Sequence, residues 1–223
     1  MGFGLFGKLP QKRDFISTDV PAEVVQPLET WLQSAVAASR NELGRGWEAA
    51  YLVAPIWRFW IGADVFGRNC AGAVMPSVDG VGRYFPLMAI WTCETGESLP
   101  PPPYAPQEKW FSAIERRLLG VLEEGADIPI PEILAGLPAP ALDARAPAVE
   151  RRAFKGGPVW RGGDDIDVPS LLAAIFEDDY RQVANGRSYW WASGTAARGP
   201  VLHARNGLPD PYFHTQMLRS MAE

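Results

Sequence analysis

The sequence predicts an α/β fold, a sandwich with helices on both faces of a mixed sheet, and three observations predict it. Stretches with apolar residues at helical spacing alternate along the chain with short apolar runs of strand length. Those runs are of mixed length and apolar content. One pair of them brackets a turn at Asp79 that looks like a hairpin, so the sheet is not expected to be wholly parallel.

The opening "MGFGLFGKLP" reads as a strand, with Phe3, Leu5 and Leu9 set among small residues whose glycines allow close backbone approach. "STDVPAEVVQPLETWLQSAVAASRNEL" places Val24, Leu28, Trp31, Leu32, Ala35 and Val36 at helical spacing, with Thr18 or Asp19 as the cap before Pro21 and a restart at Pro27. A short helix at "WEAAYLV" and a strand at "IWRFWIG" follow. "NCAGAVMPSVDGVGRYFPLMAIW" then reads as two buried strands around a turn holding Ser77, Asp79, Gly80 and Gly82.

A proline-rich connector, "GESLPPPPYAP", leads to "QEKWFSAIERRLLGVLEEG", where Phe111, Ile114, Leu118 and Val121 share one helix face opposite charged residues. The Ala/Pro-rich stretch 138–152 reads as a flexible loop. Beyond it come a helix at "VPSLLAAIFEDDYRQVANG", strands at "SYWWASG" and "PVLHARNG", and a last helix near "DPYFHTQMLRSM". The whole, residues 1–223, is read as a single domain large enough for a real core.

Composition narrows the function classes. A net charge of −5 argues against a broad nucleic-acid surface. Cys70 and Cys93 lack C-x-x-C spacing and lie in apolar surroundings, as free thiols of a reducing compartment do. No secretory signal is visible, Phe6 stands where a myristoylation motif needs Ser or Thr, and "YLVAPIWRFWIG" is too short to span a bilayer. A cytoplasmic protein with no membrane insertion is the expectation.

Candidate catalytic motifs fail on inspection. Gly2, Gly4 and Gly7 spell G-x-G-x-x-G, and Gly2 with Gly7-Lys8 follows most of a P-loop pattern, G-x-x-x-x-G-K-[ST], but Leu9 replaces the Mg²⁺-binding hydroxyl and no strand precedes the loop. Gly80 and Gly82 start a second such pattern that ends in Phe85. The chain has two histidines, His203 and His214, and no G-x-S-x-G elbow, so a Ser–His–Asp hydrolase is not indicated. Asp164, Asp165 and Asp167 fit no calcium loop, because Pro169 and Phe176 fall where ligands belong, and Asp167 reads instead as the cap of the next helix. No catalytic residue, metal or cofactor is expected. Nine tryptophans are many for this length, and Trp190 and Trp191, adjacent in a strand, must point to opposite faces. They serve the core or an interaction surface.

Four segments together resemble the TagF family of type VI secretion system-associated proteins: "GFGLFGKLPQKRDFIS", "WLQSAVAASRNELGRGWEAAYLVAPIWRFWIG", "GAVMPSVDGVGRYFPL" and, more loosely, "SYWWASG" with "NGLPDPYF". The resemblance implies a three-layer α/β/α sandwich. It implies a non-enzymatic cytoplasmic accessory protein that represses assembly or firing of the secretion system after translation. Its implied partner is the forkhead-associated-domain scaffold protein of that system or another apparatus component. The matching positions include Lys8, Asp14, Arg58, Ser77, Asp79, Arg83, Trp190 and Trp191, which are the candidate partner-binding residues. Two readings stay open for the polar ones: one surface site, or internal pairs in which Asp14 or Asp79 meets Arg58 or Arg83 and fastens the N-terminal segment to the hairpin. A rival function is small-ligand or nucleotide binding, with Lys8, Arg58, Arg83 and the Asp79 loop as an anion pocket.

Overall fold

A computed structural model describes residues 2–123, 128–142, 149–194 and 198–219. In chain order these form β1 (Gly2–Lys8), β2 (Phe15–Thr18), α1 (Ala22–Leu43), α2 (Trp47–Leu52), β3 (Trp57–Ile61), α3 (Ala63–Phe66), β4 (Cys70–Met75) and β5 (Leu87–Thr92). The second half adds α4 (Glu108–Glu123), α5 (Ile130–Ile133), β6 (Val149–Phe154), β7 (Gly157–Gly162), α6 (Val168–Asn185), β8 (Arg187–Ala192), β9 (Val201–Asn206) and α7 (Phe213–Arg219).

Seven strands make one sheet in the order β2-β1-β5-β4-β3-β8-β9, and β6 with β7 form a separate hairpin. The layering is that of the α/β sandwich: α1 and α7 cover one face, α4 and α5 the other. The sheet itself is antiparallel at every pairing, not mixed. The reason lies in the connections, since β1 with β2, β4 with β5, and β8 with β9 follow each other directly and so pair antiparallel.

Strand alternation sorts the core. On β5, Leu87, Ala89 and Trp91 face α4, while Met88 and Ile90 face α1. The helix faces read from spacing are the buried ones: Val24, Leu28, Trp31, Leu32, Ala35 and Val36 on α1, and Phe111, Ile114, Leu118 and Val121 on α4. Two expectations for α1 fail. Pro21 is its N-cap, Asp19 has a positive φ of 55°, and neither Thr18 nor Asp19 caps it. Pro27 lies inside one unbroken helix, because the buried stripe on either side outweighs the one hydrogen bond that proline removes.

Residues 143–148 of the expected flexible loop lie outside the described residues. Its last part is not a loop: residues 149–152 belong to β6, which pairs with β7 from Val149↔Gly162 to Phe154↔Gly157. This hairpin escapes a reading by hydrophobic period because "VERRAF" offers almost no apolar alternation. Cys70 and Cys93 are buried free thiols.

Candidate functional site

The glycines of the opening segment serve backbone contact. A side chain at Gly4 would meet the Thr18 carbonyl oxygen at 2.4 Å, and one at Gly7, where φ is +128°, would meet that of Pro86 at 2.0 Å. This close approach brings the end of β1 against the β4–β5 loop. There Lys8, only 4% exposed, reaches back to donate from Nζ to Asp79 Oδ2 at 2.7 Å.

Asp79 organises the loop. Its Oδ1 accepts from the backbone N–H groups of Val81 at 3.1 Å and Arg83 at 2.8 Å, and its Oδ2 also accepts from Arg83 Nε at 2.7 Å. Burial pushes this carboxyl up, but the Lys8 ammonium, the Arg83 guanidinium and the two backbone donors outweigh it and hold it well below the usual carboxylate range. Ser77 Oγ donates to the Lys8 carbonyl at 2.7 Å. Tyr51, on α2, donates to the Ser77 carbonyl at 3.2 Å and accepts from its N–H at 3.1 Å. Arg83 completes the tie by donating from its outer nitrogen to the Arg13 carbonyl. Lys8, Ser77, Asp79 and Arg83 are thus one network fastening β1 and its following loop to the hairpin.

The other candidates lie elsewhere. Arg58 points to the α4 face, three strands from Lys8, or about 14 Å at the spacing of neighbouring strands. Its guanidinium is 2% exposed and fully engaged: Nε and one terminal nitrogen donate to the two oxygens of Glu115, each at 2.8 Å. The other terminal nitrogen donates to Glu108 Oε2 at 2.6 Å, and the terminal nitrogen that bonds Glu115 also donates to Ser112 Oγ at 3.2 Å. Asp14 is exposed on the loop before β2 and joins none of these bonds. Trp190 and Trp191 do face opposite sides. Trp190 is fully buried between Trp31 and Phe59, with ring centroids 5.0 and 5.3 Å away, and donates from Nε1 to Ser188 Oγ at 3.0 Å. Trp191, partly buried, meets Phe111 edge to face at 4.7 Å.

Sequence reasoning missed the partners. Glu108, Ser112 and Glu115 sit at helical spacing on one face of α4, a polar stripe whose opposite number, Arg58, is a charged residue in an apolar strand. That pairing of signals was available. Of the exposed apolar residues of this region, Phe15 falls in the first segment that resembles the family, whereas Val81 carries no signal in sequence, being a single apolar residue in a short loop. His214 is buried, 2.8 Å from Ser39 Oγ, with its pKa pushed down to about 4 by burial, and His203 packs on Phe213. Asp167 caps α6 by accepting from Ser170 N–H at 2.9 Å. Among the described residues no cluster of three or more His, Cys, Asp or Glu could hold a metal, and no helix is long and apolar enough to cross a membrane.

Comparison with known proteins places this arrangement. No curated protein matches the sequence. The crystal structure of PA0076 from Pseudomonas aeruginosa PAO1, at 2.05 Å resolution, is similar with 32% identity and a TM-score of 0.79, covering 100% of this chain and 95% of that one. Residues 4–134, which hold β1, the Asp79 loop, Arg58 and its α4 partners, match the family model for the TagF N-terminal domain, type VI secretion system-associated. The chain therefore belongs to the TagF family of type VI secretion system-associated proteins.

Proposed function

We propose that this protein is a non-enzymatic accessory of type VI secretion that represses assembly or firing of the apparatus by binding a protein partner, and that it acts in the cytoplasm. The partner we favour is the forkhead-associated-domain scaffold of that system. The observation that carries the reading is the division of labour around Asp79. Buried Lys8, Ser77 and Asp79 are spent on one another, while Arg83 keeps a side chain 58% exposed two residues from exposed Val81, and the Lys8 ammonium lies over the ring of exposed Phe15, 5.0 Å from its centroid. A cation and two apolar groups held at fixed positions by a buried network suit protein recognition. In this reading the contact residues are Arg83, Asp14, Phe15 and Val81, with Lys8, Ser77 and Asp79 as positioning residues; Arg58 and Trp190 hold the fold.

The rival anion pocket draws no support from this geometry. Lys8 and Arg83 share Asp79, and Arg58 is neutralised by two glutamates on another part of the sheet. The reading also takes 1–223 as one domain, since β8 pairs with β3 inside the sheet that β1–β5 begin.

The test is secretion of the tube protein from a host with an active type VI system, comparing empty vector, overproduced wild type, Arg83→Glu and Val81→Asp at equal levels of folded protein. Val81 lends the network only its backbone N–H, so its side chain can change without loosening the loop. Suppression by wild type and relief by Val81→Asp is the expected result, matched by loss of scaffold capture. Undiminished secretion with wild type overturns the repressor role, and full suppression by both variants moves the contact surface elsewhere.

A further inference from the structure

Away from the Asp79 loop, the β6–β7 hairpin and α6 expose the most apolar surface of the described residues. Val168, Leu172, Phe176 and Val183 line one side of α6, spaced by four, four and seven, and Phe176 is 73% exposed. On the hairpin, Phe154 is 72% exposed and Val159 lies beside it. A helix of eighteen residues normally buries its apolar stripe, whereas this one buries Ala184 alone and turns the stripe of Val168, Leu172, Phe176 and Val183 outward.

The hairpin is half covered. Its inner face rests on α6, where Trp160 Nε1 donates to Asp178 Oδ2 at 2.8 Å and Arg151 pairs with the same carboxylate at 3.5 Å. Among the described residues nothing covers its outer face, with Arg152, Phe154, Val159 and Arg161, and neither strand has a second neighbour. A two-stranded sheet is marginal by itself, so cover on that face would stabilise it.

Charge says what kind of cover. The hairpin carries Arg151, Arg152, Lys155 and Arg161 against a single acid, Glu150. The stretch from Asp164 to Asp179 that follows carries Asp164, Asp165, Asp167, Glu177, Asp178 and Asp179 and no cation. Asp178 and Asp167 have partners within the chain, whereas Lys155 and Arg161 on one side and Asp164, Asp165 and Asp179 on the other have none among the described residues. A patch holding adjacent and opposite unspent charges around apolar groups is self-complementary, which is the condition a two-fold interface imposes and a foreign partner does not.

We propose that this face docks a second copy of the chain across a two-fold axis, the basic hairpin of each copy lying on the outward, acidic side of the other copy's α6. Phe176 and Leu172 supply the apolar centre, and Arg161 and Lys155 meet Asp164, Asp165 and Asp179 at the rim. The surface is separate from the Asp79 loop, so the dimer and the repressor contact stand or fall independently.

The test is the mass of the full chain by light scattering and sedimentation over a range of concentrations at low salt. Wild type is expected at twice the chain mass of 24.5 kDa. Phe176→Asp, an exposed position, should return the mass to 24.5 kDa with an unchanged circular dichroism spectrum. Arg161→Asp and Asp179→Arg should each weaken the dimer roughly tenfold or more, and the two together should recover most of it. A wild-type monomer at every concentration overturns the proposal, as does a dimer indifferent to Phe176→Asp. A monomer whose mass rises only when the scaffold protein is added gives the face to a different partner and overturns it as well.

Discussion

At the end of β1, one buried carboxylate is held by two cations; on β3, one buried guanidinium is held by two carboxylates. The two clusters are electrostatic opposites with the same plan, a buried centre tied to one sheltered partner and one exposed partner. Arg83 is the exposed arm of the first, with a side chain 58% accessible, and Glu108 of the second, at 64%. They differ in what remains when the centre is lost. Without Asp79 the Lys8 ammonium is stranded with its side chain 5% exposed, whereas without Arg58 both Glu115 and Glu108 reach water. A buried pair contributes little net stability, yet removing one member is costly in proportion to how well the other is sealed from solvent. The acid-centred cluster is therefore the more fragile of the two.

Asp79→Ala is accordingly the largest expected loss. It strands Lys8 and also removes the acceptor of the Val81 and Arg83 backbone donors, so the loop that presents Arg83 should loosen. Thermal unfolding should show the lowest midpoint of any single variant in the two clusters, and amide exchange in 77–85 should quicken. Arg58→Met comes next, at about 3 kcal/mol, the lower end for breaking a buried pair because its carboxylates can hydrate. Its denaturant midpoint should fall without faster exchange in the Asp79 loop. If Arg58→Met proves the worse variant, exposure of the surviving partner is not what separates the clusters.

Much of this plan is local and therefore legible in sequence. The α1 and α4 faces follow from spacing alone, and the turn at Asp79 from its glycines. Pairing of Asp79 with Arg83 is a contact four residues apart, within reach of the reading that made these residues internal fasteners. Lys8 with Asp79, and Arg58 with Glu108 and Glu115, join residues 71, 50 and 57 positions apart, and only sheet order decides which carboxylate each cation meets. β2 was invisible for a similar reason: "FIST" is too short to carry a period, and its strand character comes from the free edge of β1. The β6–β7 hairpin hides because its sides are charged, which is also what makes it a candidate interface.

Acid pH offers a third contrast. Asp79 has a depressed pKa in the folded state, so its contribution is present above the unfolded value near 3.9 and drains away as pH falls through the folded one. His214, at about 4 when folded, is also depressed and costs stability earlier, as pH falls from about 6.5 toward 4. Wild type and Asp79→Asn share the His214 limb. Below pH 4 Asp79→Asn should lose stability less steeply than wild type, its remaining slope coming from carboxylates such as Glu108 that are also held low; equal slopes there would mean that acid does not act through Asp79.

The smallest effect belongs to Glu108→Gln. The Arg58 hydrogen bond lowers the Glu108 carboxyl, so this arm too helps above the ordinary carboxylate range and is lost as pH falls. Its exposure cuts the worth of the contact, because water and salt screen an open ion pair. The expected cost is below about 1 kcal/mol, and it should vanish at high salt while the Arg58→Met deficit persists. Urea midpoints with and without 1 M NaCl, roughly a 3 Å screening length, would measure both at once. A Glu108→Gln loss that equals Arg58→Met and survives salt would show that the exposed arm carries the base-centred cluster, which is the reverse of the order its geometry gives with Glu115.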